Sequence, residues 1–231
     1  MKITLPDNSS RELPEGSSGY DLAKDIGPGL AKSAVAVSVD GVQRDLHDVI
    51  EGDASVSIIT IDSDEGIEIM RHTLTAQVLA RAIKNLYPNS KLAIGPTIDD
   101  GFYYDVESEK SISSDDLSKI EDEMKKIIKT KSSITKKLVS KSEALKIFKE
   151  NKESYKEIIV NESKQKDNFQ LYYQDDKKFV DLCRGPHLPN LEFIGSFKLT
   201  KVSGAYWKGD SANAMLTRIY GTAFNLSLIH I

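Results

Sequence analysis

The sequence lacks several features that define whole classes of protein. It holds one cysteine, Cys183, so an internal disulfide is impossible, which is typical of a reducing compartment. No run approaches the ~20 apolar residues that span a bilayer, and the start of the chain has no apolar signal segment. We therefore expect a cytoplasmic protein without a membrane anchor.

The sequence also lacks an excess of positive charge. Its 31 Lys and Arg residues are outnumbered by 35 Asp and Glu residues, which gives a net charge of −4. Dedicated duplex-binding modules are usually basic, so the charge argues against such a module, although it does not exclude a protein that meets nucleic acid over one local patch. No Gly-x-x-x-x-Gly-Lys-Ser/Thr loop is present, which argues against a nucleotide-hydrolysing regulator.

The pattern of short runs predicts a small first domain over residues 1–61. Two extended runs, a short helix and two further extended runs follow one another in this block. Ser17 or Ser18 is expected to cap the helix, the Gly-Pro-Gly run at 27–29 to end it, and Asp40-Gly41 to form a hairpin turn. This order predicts a small α+β roll.

Residues 62–225 are predicted to form a larger α+β domain. Its expected elements are a long helix over 67–87 that Pro88 ends, an extended run and hairpin over 91–106, an amphipathic helix over 114–129, a helix over 142–150, paired strands at 169–173 and 179–183 around a turn at 174–178, and a series of short strands between 193 and 224.

The most informative stretch is Asp181-Leu182-Cys183-Arg184-Gly185-Pro186-His187. Asp181 and Cys183 are two residues apart on a predicted strand, so they share one face, and the Gly-Pro turn can bring His187 back towards them. A carboxylate, a thiol and an imidazole together can serve acid–base chemistry, nucleophilic chemistry or metal binding. The alternative is structural: a surface Asp, a small buried Cys and a turn His.

Six segments, in this order and at these intervals, resemble the editing domain of bacterial threonyl-tRNA synthetases, and the first block resembles the ubiquitin-like β-grasp (TGS) domain that precedes it in that family. The segments begin at Met70 (MRHT), Ala93 (AIGP), Gly101 (GFYYD), Asp181 (DLCRGPH), Gly204 (GAYWKGDS) and Arg218 (RIYGTA). The resemblance implies an antiparallel sheet beside the long helix.

The resemblance also implies a function. In the family, this domain hydrolyses serine wrongly attached to the 3′ acceptor end of the tRNA for threonine. A missing methyl group changes binding by only ~1–3 kcal/mol, so a second, hydrolytic site is needed to reject serine.

The site residues follow from the matched motifs. The resemblance implies catalytic roles for His72, Lys156, Asp181 and His187, and substrate-binding roles for Tyr104, Cys183, Gln77 and Gly95. Taken alone, Lys156 is a surface lysine and His72 a structural helix residue; the motif match favours the functional interpretation.

The long helix departs from the family pattern, which has two histidines four residues apart. Here Ala76 stands four residues after His72, and Gln77 five. Either a π-bulge absorbs the additional residue and brings Gln77 to the second place, or Thr73 and Gln77 take the two places and His72 turns away. Glutamine does not titrate near neutral pH, so altered or weakened editing is expected here.

We expect no bound metal and no cofactor. In the family, ATP, magnesium and zinc belong to the ligase core that follows the editing domain, and that core is not in this sequence. Residues 226–231 form an atypical apolar tail. The fragment is expected to be a monomer and its parent protein a homodimer. The competing interpretation is a catalytically weak module that docks the tRNA acceptor end.

Overall fold

The computed structural model describes residues 1–174 and 179–225. The elements of the first domain are β1 (Lys2–Thr4), β2 (Ser10–Glu12), α1 (Gly19–Ile26), α2 (Pro28–Ser33), β3 (Ala34–Val39), β4 (Val42–Asp45) and β5 (Ala54–Thr60). The five strands form one sheet in the order β2-β1-β5-β3-β4, in which only β1 and β5 run parallel. This mixed sheet is the arrangement of a β-grasp domain.

Local chemistry explains the start of α1. The hydroxyl of Ser18 accepts from the N–H of Asp21, and the Asp21 carboxylate accepts from the N–H of Ser18, which is a reciprocal cap on free donors. The Gly-Pro-Gly run ends α1 as predicted, but Pro28 then opens a second short helix that we did not predict. Proline suits this first helical position because it has no N–H to leave unpaired.

The long helix of the second domain consists of three parts. It comprises α3 (Asp64–Thr73), a π-helical segment (Leu74–Leu79) and α4 (Ala80–Leu86). The N–H of Ala80 donates to the carbonyl of Thr75, five residues earlier, as a π-turn requires. The π-turn that one of the two predicted arrangements required is therefore present. That arrangement also placed Gln77 in the cavity, and there the prediction is wrong, because Ala76 lines the cavity instead.

The remaining elements of the second domain form two antiparallel sheets with helices packed on them. They are β6 (Lys91–Leu92), β7 (Thr97–Ile98), β8 (Gly101–Glu107), α5 (Leu117–Lys129), β9 (Ile134–Val139), α6 (Lys141–Glu150), α7 (Ser154–Glu162), β10 (Phe169–Gln174), β11 (Val180–Leu182), β12 (Ser196–Tyr206) and β13 (Met215–Phe224). One sheet has the order β11-β10-β9, and the other has β12-β13-β8-β6 with β7 paired to β8.

The α+β class predicted from the sequence is confirmed, with corrections inside it. The C-terminal third is a hairpin of two long strands rather than a series of short ones. Strand β9 and helix α7 were not predicted. The turn expected at 174–178 lies, from Asp175 on, outside the described residues, as does the tail at 226–231.

A shared apolar core joins the two domains. Val35, Ala36 and Ile59 of the first domain belong to the same buried cluster as Ile69 and Met70 of α3. The predicted boundary near residue 62 falls between β5 and α3, and its position stays a prediction. No helix within residues 1–174 and 179–225 is long and apolar enough to cross a membrane.

Candidate active site

A cavity of about 610 Å³ opens between the long helix, β8, α7 and the strands β10 and β11. Six of the eight residues that the sequence assigned to the site line it: His72, Gly95, Tyr104, Lys156, Asp181 and Cys183. His187 and Gln77 are the other two, and the structure places both behind the cavity wall.

His72 and Cys183 meet on one side of the cavity. The Nε2 atom of His72 lies 2.9 Å from the Sγ atom of Cys183. His72 comes from the last turn of α3, and Cys183 directly follows β11. Asp181 and Cys183 both line the cavity, as their spacing predicted. This side therefore offers an imidazole and a thiol to a bound molecule.

His187 lies directly behind His72, with the ring centroids 4.6 Å apart. The Thr73 hydroxyl donates to the carbonyl of Ile69 at 2.8 Å and accepts from the N–H of Leu188 at 2.9 Å. Its oxygen also lies 3.2 Å from Nδ1 of His187, a contact that holds the imidazole ring in place. The Nε2 atom of His187 is buried and has no hydrogen-bond partner among the described residues.

The cavity wall also contains a buried ion pair. The Nζ atom of Lys156 lies 2.6 Å from Oδ1 of Asp181, and both side chains are less than 5% exposed. The N–H of Leu182 donates to the same oxygen at 2.8 Å, and the Tyr104 hydroxyl lies 3.5 Å from Oδ2. These contacts involve no imidazole, so Asp181 orients Lys156 and Tyr104 rather than a histidine.

Helix α7 holds Lys156 in place through its neighbours. The carboxylate of Glu153 accepts from the N–H of Leu92 at 2.8 Å and pairs with Lys84 at 2.7 Å. The ring of Tyr155 packs edge-on against Trp207, with centroids 4.9 Å apart. These contacts fix the first turn of α7, so Lys156 is directed into the cavity and not into solvent.

Gly95 allows the ring of Tyr104 to form part of the wall. A Cβ atom at this position would lie 2.2 Å from Cδ2 of Tyr104 and 3.0 Å from Oγ1 of Thr75. Carbon atoms do not approach that closely, so a larger residue would push the Tyr104 ring away from Asp181.

The π-helical segment does not bring Gln77 into the cavity. Ala76 lines the cavity instead, and Gln77 is fully buried. Both polar atoms of its side chain lack a hydrogen-bond partner within the described part of the chain. Its substrate-binding role, predicted from the family pattern, has no geometric support, because the π-turn rotates the chain so that the methyl group of Ala76 faces the cavity.

Burial controls the ionisation of the cavity wall. It lowers the pKa of His72 below the ordinary 6.5, against the opposing charge of Asp181. It raises the pKa of Asp181, against the ammonium group of Lys156. It raises the pKa of Tyr104 well above 10, and the charge of Asp181 adds to this effect. At neutral pH, the imidazole of His72 is therefore a neutral base and Tyr104 remains a donor.

His72, Cys183 and His187 are the described residues that can hold a metal ion together, with their ligand atoms within 4.8 Å of one another. Two nitrogens and one sulfur are ligands that zinc accepts, and three protein ligands leave a fourth position open. The expectation that no metal binds here stays a prediction.

Sequence reasoning missed several residues around the site. Ala76, Arg184 and Asn168 line the cavity. Thr73 contacts the imidazole of His187, and Asp45 from the first domain contacts the His187 main chain. The sequence offered a signal for Arg184, because this residue lies inside the motif at 181–187. Nothing in the local sequence distinguishes Asp45 from the other acidic residues of its domain.

Comparison with known proteins matches both parts of the chain. Residues 1–60 match the TGS domain family, and residues 170–220 match the family described as threonyl and alanyl tRNA synthetase second additional domain. The chain is also similar to a protein from Hahella chejuensis (strain KCTC 2396) named threonine--tRNA ligase. The two are 49% identical over 222 residues, which cover 96% of this chain and 34% of that relative. The chain thus spans about a third of the relative's length.

Proposed function

We propose that this chain, which carries the TGS and editing domains of the threonyl-tRNA synthetase family, hydrolyses the ester between serine and the 3′ end of the tRNA for threonine. The observation that carries the proposal is the single cavity lined by His72, Cys183 and the buried pair of Lys156 and Asp181. An ester hydrolase needs a base for water and a cation near the developing negative charge, and this cavity has both.

The neutral imidazole of His72 is the group best placed to accept a proton. Its lowered pKa keeps it unprotonated at neutral pH, so it can hold the attacking water and assist removal of its proton. In this proposal, His72 and Lys156 position the water between the two sides of the cavity. A proton then returns to the ribose oxygen when the ester bond breaks.

Lys156 and Asp181 have complementary roles in the proposal. The ammonium of Lys156 stabilises the negative charge that develops on the ester carbonyl oxygen, since it lies in a buried setting where such contacts are strong. Asp181 is the most buried carboxylate of the wall and is the proposed contact for the substrate's amino group. Cys183 and Tyr104 confine the substrate, and His187 supports His72 from behind.

Selectivity for serine is proposed to be steric. An amino acid enters between the imidazole–thiol side and the ion-pair side, and the additional methyl group of threonine meets a wall already occupied by Tyr104 and Gly95. Since a hydrophobic contact alone discriminates one methyl group by only ~1–3 kcal/mol, a wall that excludes the larger substrate is the more effective device.

Deacylation of labelled aminoacyl-tRNA tests the proposal. Seryl ester should be lost much faster than threonyl ester, and faster than without protein. His72→Ala should slow the loss of seryl ester, and Lys156→Ala should abolish it. Equal rates for both esters would contradict the selectivity, and wild-type rates in both variants would remove these residues from the mechanism.

A second candidate is a module that docks the acceptor end without turnover. The observation that favours it is the place of Ala76, which leaves His72 as the one imidazole lining the cavity in the described structure. Saturable tRNA binding with no ester loss above background would support this second function.

We also propose what a longer parent protein would do. It would attach threonine to its tRNA with ATP, as a homodimer in the cytoplasm. This proposal rests on the similarity to the longer relative. Magnesium and zinc would belong to a ligase core. The cavity described above would then serve as the hydrolytic site of that enzyme.

A further inference from the structure

A single carboxylate of the first domain contacts three elements of the second. Oδ1 of Asp45 accepts from the main-chain N–H of His187 at 2.8 Å. Oδ2 accepts from the hydroxyl of Tyr172 at 2.8 Å and pairs with Nζ of Lys136 at 2.9 Å. Lys136 lies on β9, Tyr172 on β10 and His187 in the loop after β11. The Asp45 carboxylate thus contacts β9, β10 and the loop after β11.

The Asp45 contact is enclosed. The Asp45 side chain is 15% exposed and that of Lys136 17%, while Tyr172 and His187 are each 1% exposed. Hydrogen bonds to a charged acceptor are stronger than neutral ones. Removing this carboxylate would leave the main-chain N–H of His187 without its acceptor, while the Tyr172 hydroxyl would keep Oε1 of Gln170, 3.1 Å away, as an acceptor.

Asp45 fixes both the backbone and the ring of His187. Its direct bond holds the His187 main chain, and a second partner of Asp45, Tyr172, packs edge-on against the His187 ring with centroids 4.4 Å apart. Tyr172 also lies against Gly185, where a Cβ atom would be 2.0 Å from the hydroxyl oxygen. Gly185 adopts a φ of +66°, which glycine accommodates without strain.

His187 connects this contact to the cavity. Its ring lies against His72, whose Nε2 atom is 2.9 Å from Cys183 at the cavity surface. A shift of the loop that carries His187 would therefore move His72 and Cys183. Small displacements of catalytic groups reduce rates by up to ~100-fold.

We propose that Asp45 is a positioning residue for the deacylase site, through which the first domain holds His187 behind His72. This inference rests on the proposed function. It makes the first domain a structural component of a site whose lining residues all come from the second domain. The rate of deacylation then depends on a residue that contacts neither the substrate nor the cavity.

Four variants of the full chain test this inference. Asp45→Ala removes all three contacts, to His187, Tyr172 and Lys136, and Asp45→Asn retains one acceptor oxygen. Lys136→Met breaks the ion pairs of Lys136 with Asp45 and with Asp48 but leaves the bonds from Asp45 to His187 and Tyr172. Asp25→Asn is the matched control, because Asp25 pairs with Arg11 on the exposed surface of the same domain, 3.7 Å away.

We expect a graded loss in single-turnover deacylation of seryl-tRNA. Asp45→Ala should slow the reaction about tenfold or more, Asp45→Asn less, and Asp25→Asn not at all. In steady-state assays, the loss should fall on kcat with KM unchanged, as for a group that organises the site without binding substrate. If Lys136→Met and Asp45→Ala slow deacylation equally, the inference is overturned, because Asp45 then only helps to hold the two domains together.

The imidazole ¹⁵N signals of His187, assigned by their loss in His187→Gln, give a readout that does not need activity. Their chemical shifts should change in Asp45→Ala and remain unchanged in Asp25→Asn. If the wild-type chain hydrolyses no ester, the proposed function fails and these signals alone decide the inference. Unchanged signals, or a wild-type rate in folded Asp45→Ala, would overturn it. Should Asp45→Ala fail to fold, Asp45→Asn decides by the same criteria.

Discussion

Two regions beside the cavity differ in whether their buried polar side chains have bonding partners. On the α7 side, Lys156 and Asp181 are buried together at 2.6 Å, with Leu182 and Tyr104 completing the contacts of the carboxylate. On the π-helical side, the amide of Gln77 is fully buried with neither polar atom bonded to a described residue. Removing one partner of a buried ion pair lowers the free energy of unfolding strongly. A buried amide without partners already lowers the free energy of unfolding of the wild-type protein.

Breaking the ion pair should have the largest effect. Lys156→Ala leaves the buried Asp181 carboxylate without its cation, so we expect the free energy of unfolding at pH 7 to fall by about 3–5 kcal/mol and deacylation to be abolished. Burial already raises the pKa of Asp181, and loss of Lys156 raises it further. The destabilisation should therefore shrink as pH falls and Asp181 becomes protonated.

Urea unfolding at pH 7 and pH 5 measures this change. Lys137→Ala is the control, because Lys137 and Glu143 form an exposed pair with 58% and 44% of their side chains accessible. Such a pair contributes ~0–1 kcal/mol. A similar small loss in Lys156→Ala would show that the buried pair does not stabilise the fold.

Gly95→Ala should have the next largest effect, on the same side of the cavity. Its Cβ would lie 2.2 Å from the Tyr104 ring, and overpacking of this kind costs about 1–3 kcal/mol. Thermal unfolding and seryl-tRNA deacylation should both be impaired. Gly29→Ala is the matched control, since no atom lies within 4 Å of its added Cβ; equal stability of the two variants would contradict the tight wall.

Replacing the unpaired amide should stabilise the protein. Gln77→Met removes two unpartnered buried polar atoms, so we expect about 1–2 kcal/mol of added stability. Gln174→Met is the matched comparison, because the Gln174 amide is equally buried but donates to the Gln77 carbonyl at 2.7 Å and accepts from Arg81 at 2.6 Å. Chemical denaturation should show a higher free energy of unfolding for Gln77→Met and a lower one for Gln174→Met. Loss of stability in both variants would show that the Gln77 amide has hydrogen-bond partners.

Deacylation should respond to pH through His72. In the proposed mechanism the imidazole of His72 acts when it is neutral, and burial holds its pKa below 6.5. The rate should therefore be level above pH 6.5 and fall as pH drops through that lowered pKa. A pH–rate profile measures the midpoint. A midpoint above 6.5 would mean that another group limits the reaction.

Chelation should have the smallest effect. We expect the rate to be unchanged after treatment with EDTA and metal analysis of the purified chain to find no stoichiometric zinc. Loss of activity that zinc restores would instead assign His72, Cys183 and His187 as ligands.

The sequence predicted the parts of this structure that depend on local patterns. The cap at Ser18, the hairpin at Asp40-Gly41 and the amphipathic helix ending at Lys129 follow from turn chemistry and helical periodicity. The convergence of Asp181 and Cys183 followed from their alternation along a strand. A π-bulge was one of two alternatives that one additional residue after His72 allowed.

Long-range packing decided what the sequence left open. Lys156 is buried because Tyr155 and Glu153 fix its helix against residues more than 45 positions away. Whether Ala76 or Gln77 faces the cavity depends on where the π-turn begins, and spacing alone does not give that. The contact between Asp45 and His187 joins positions 142 residues apart, so no local pattern reveals it.

The most direct test of this account compares ester loss from seryl-tRNA and threonyl-tRNA, both made with the tRNA for threonine, in the presence of the purified chain. The account predicts rapid loss of serine, slow loss of threonine, and no loss of serine above background with Lys156→Ala. Retention of both esters by a folded wild-type chain that binds the tRNA would contradict it and assign the cavity to docking.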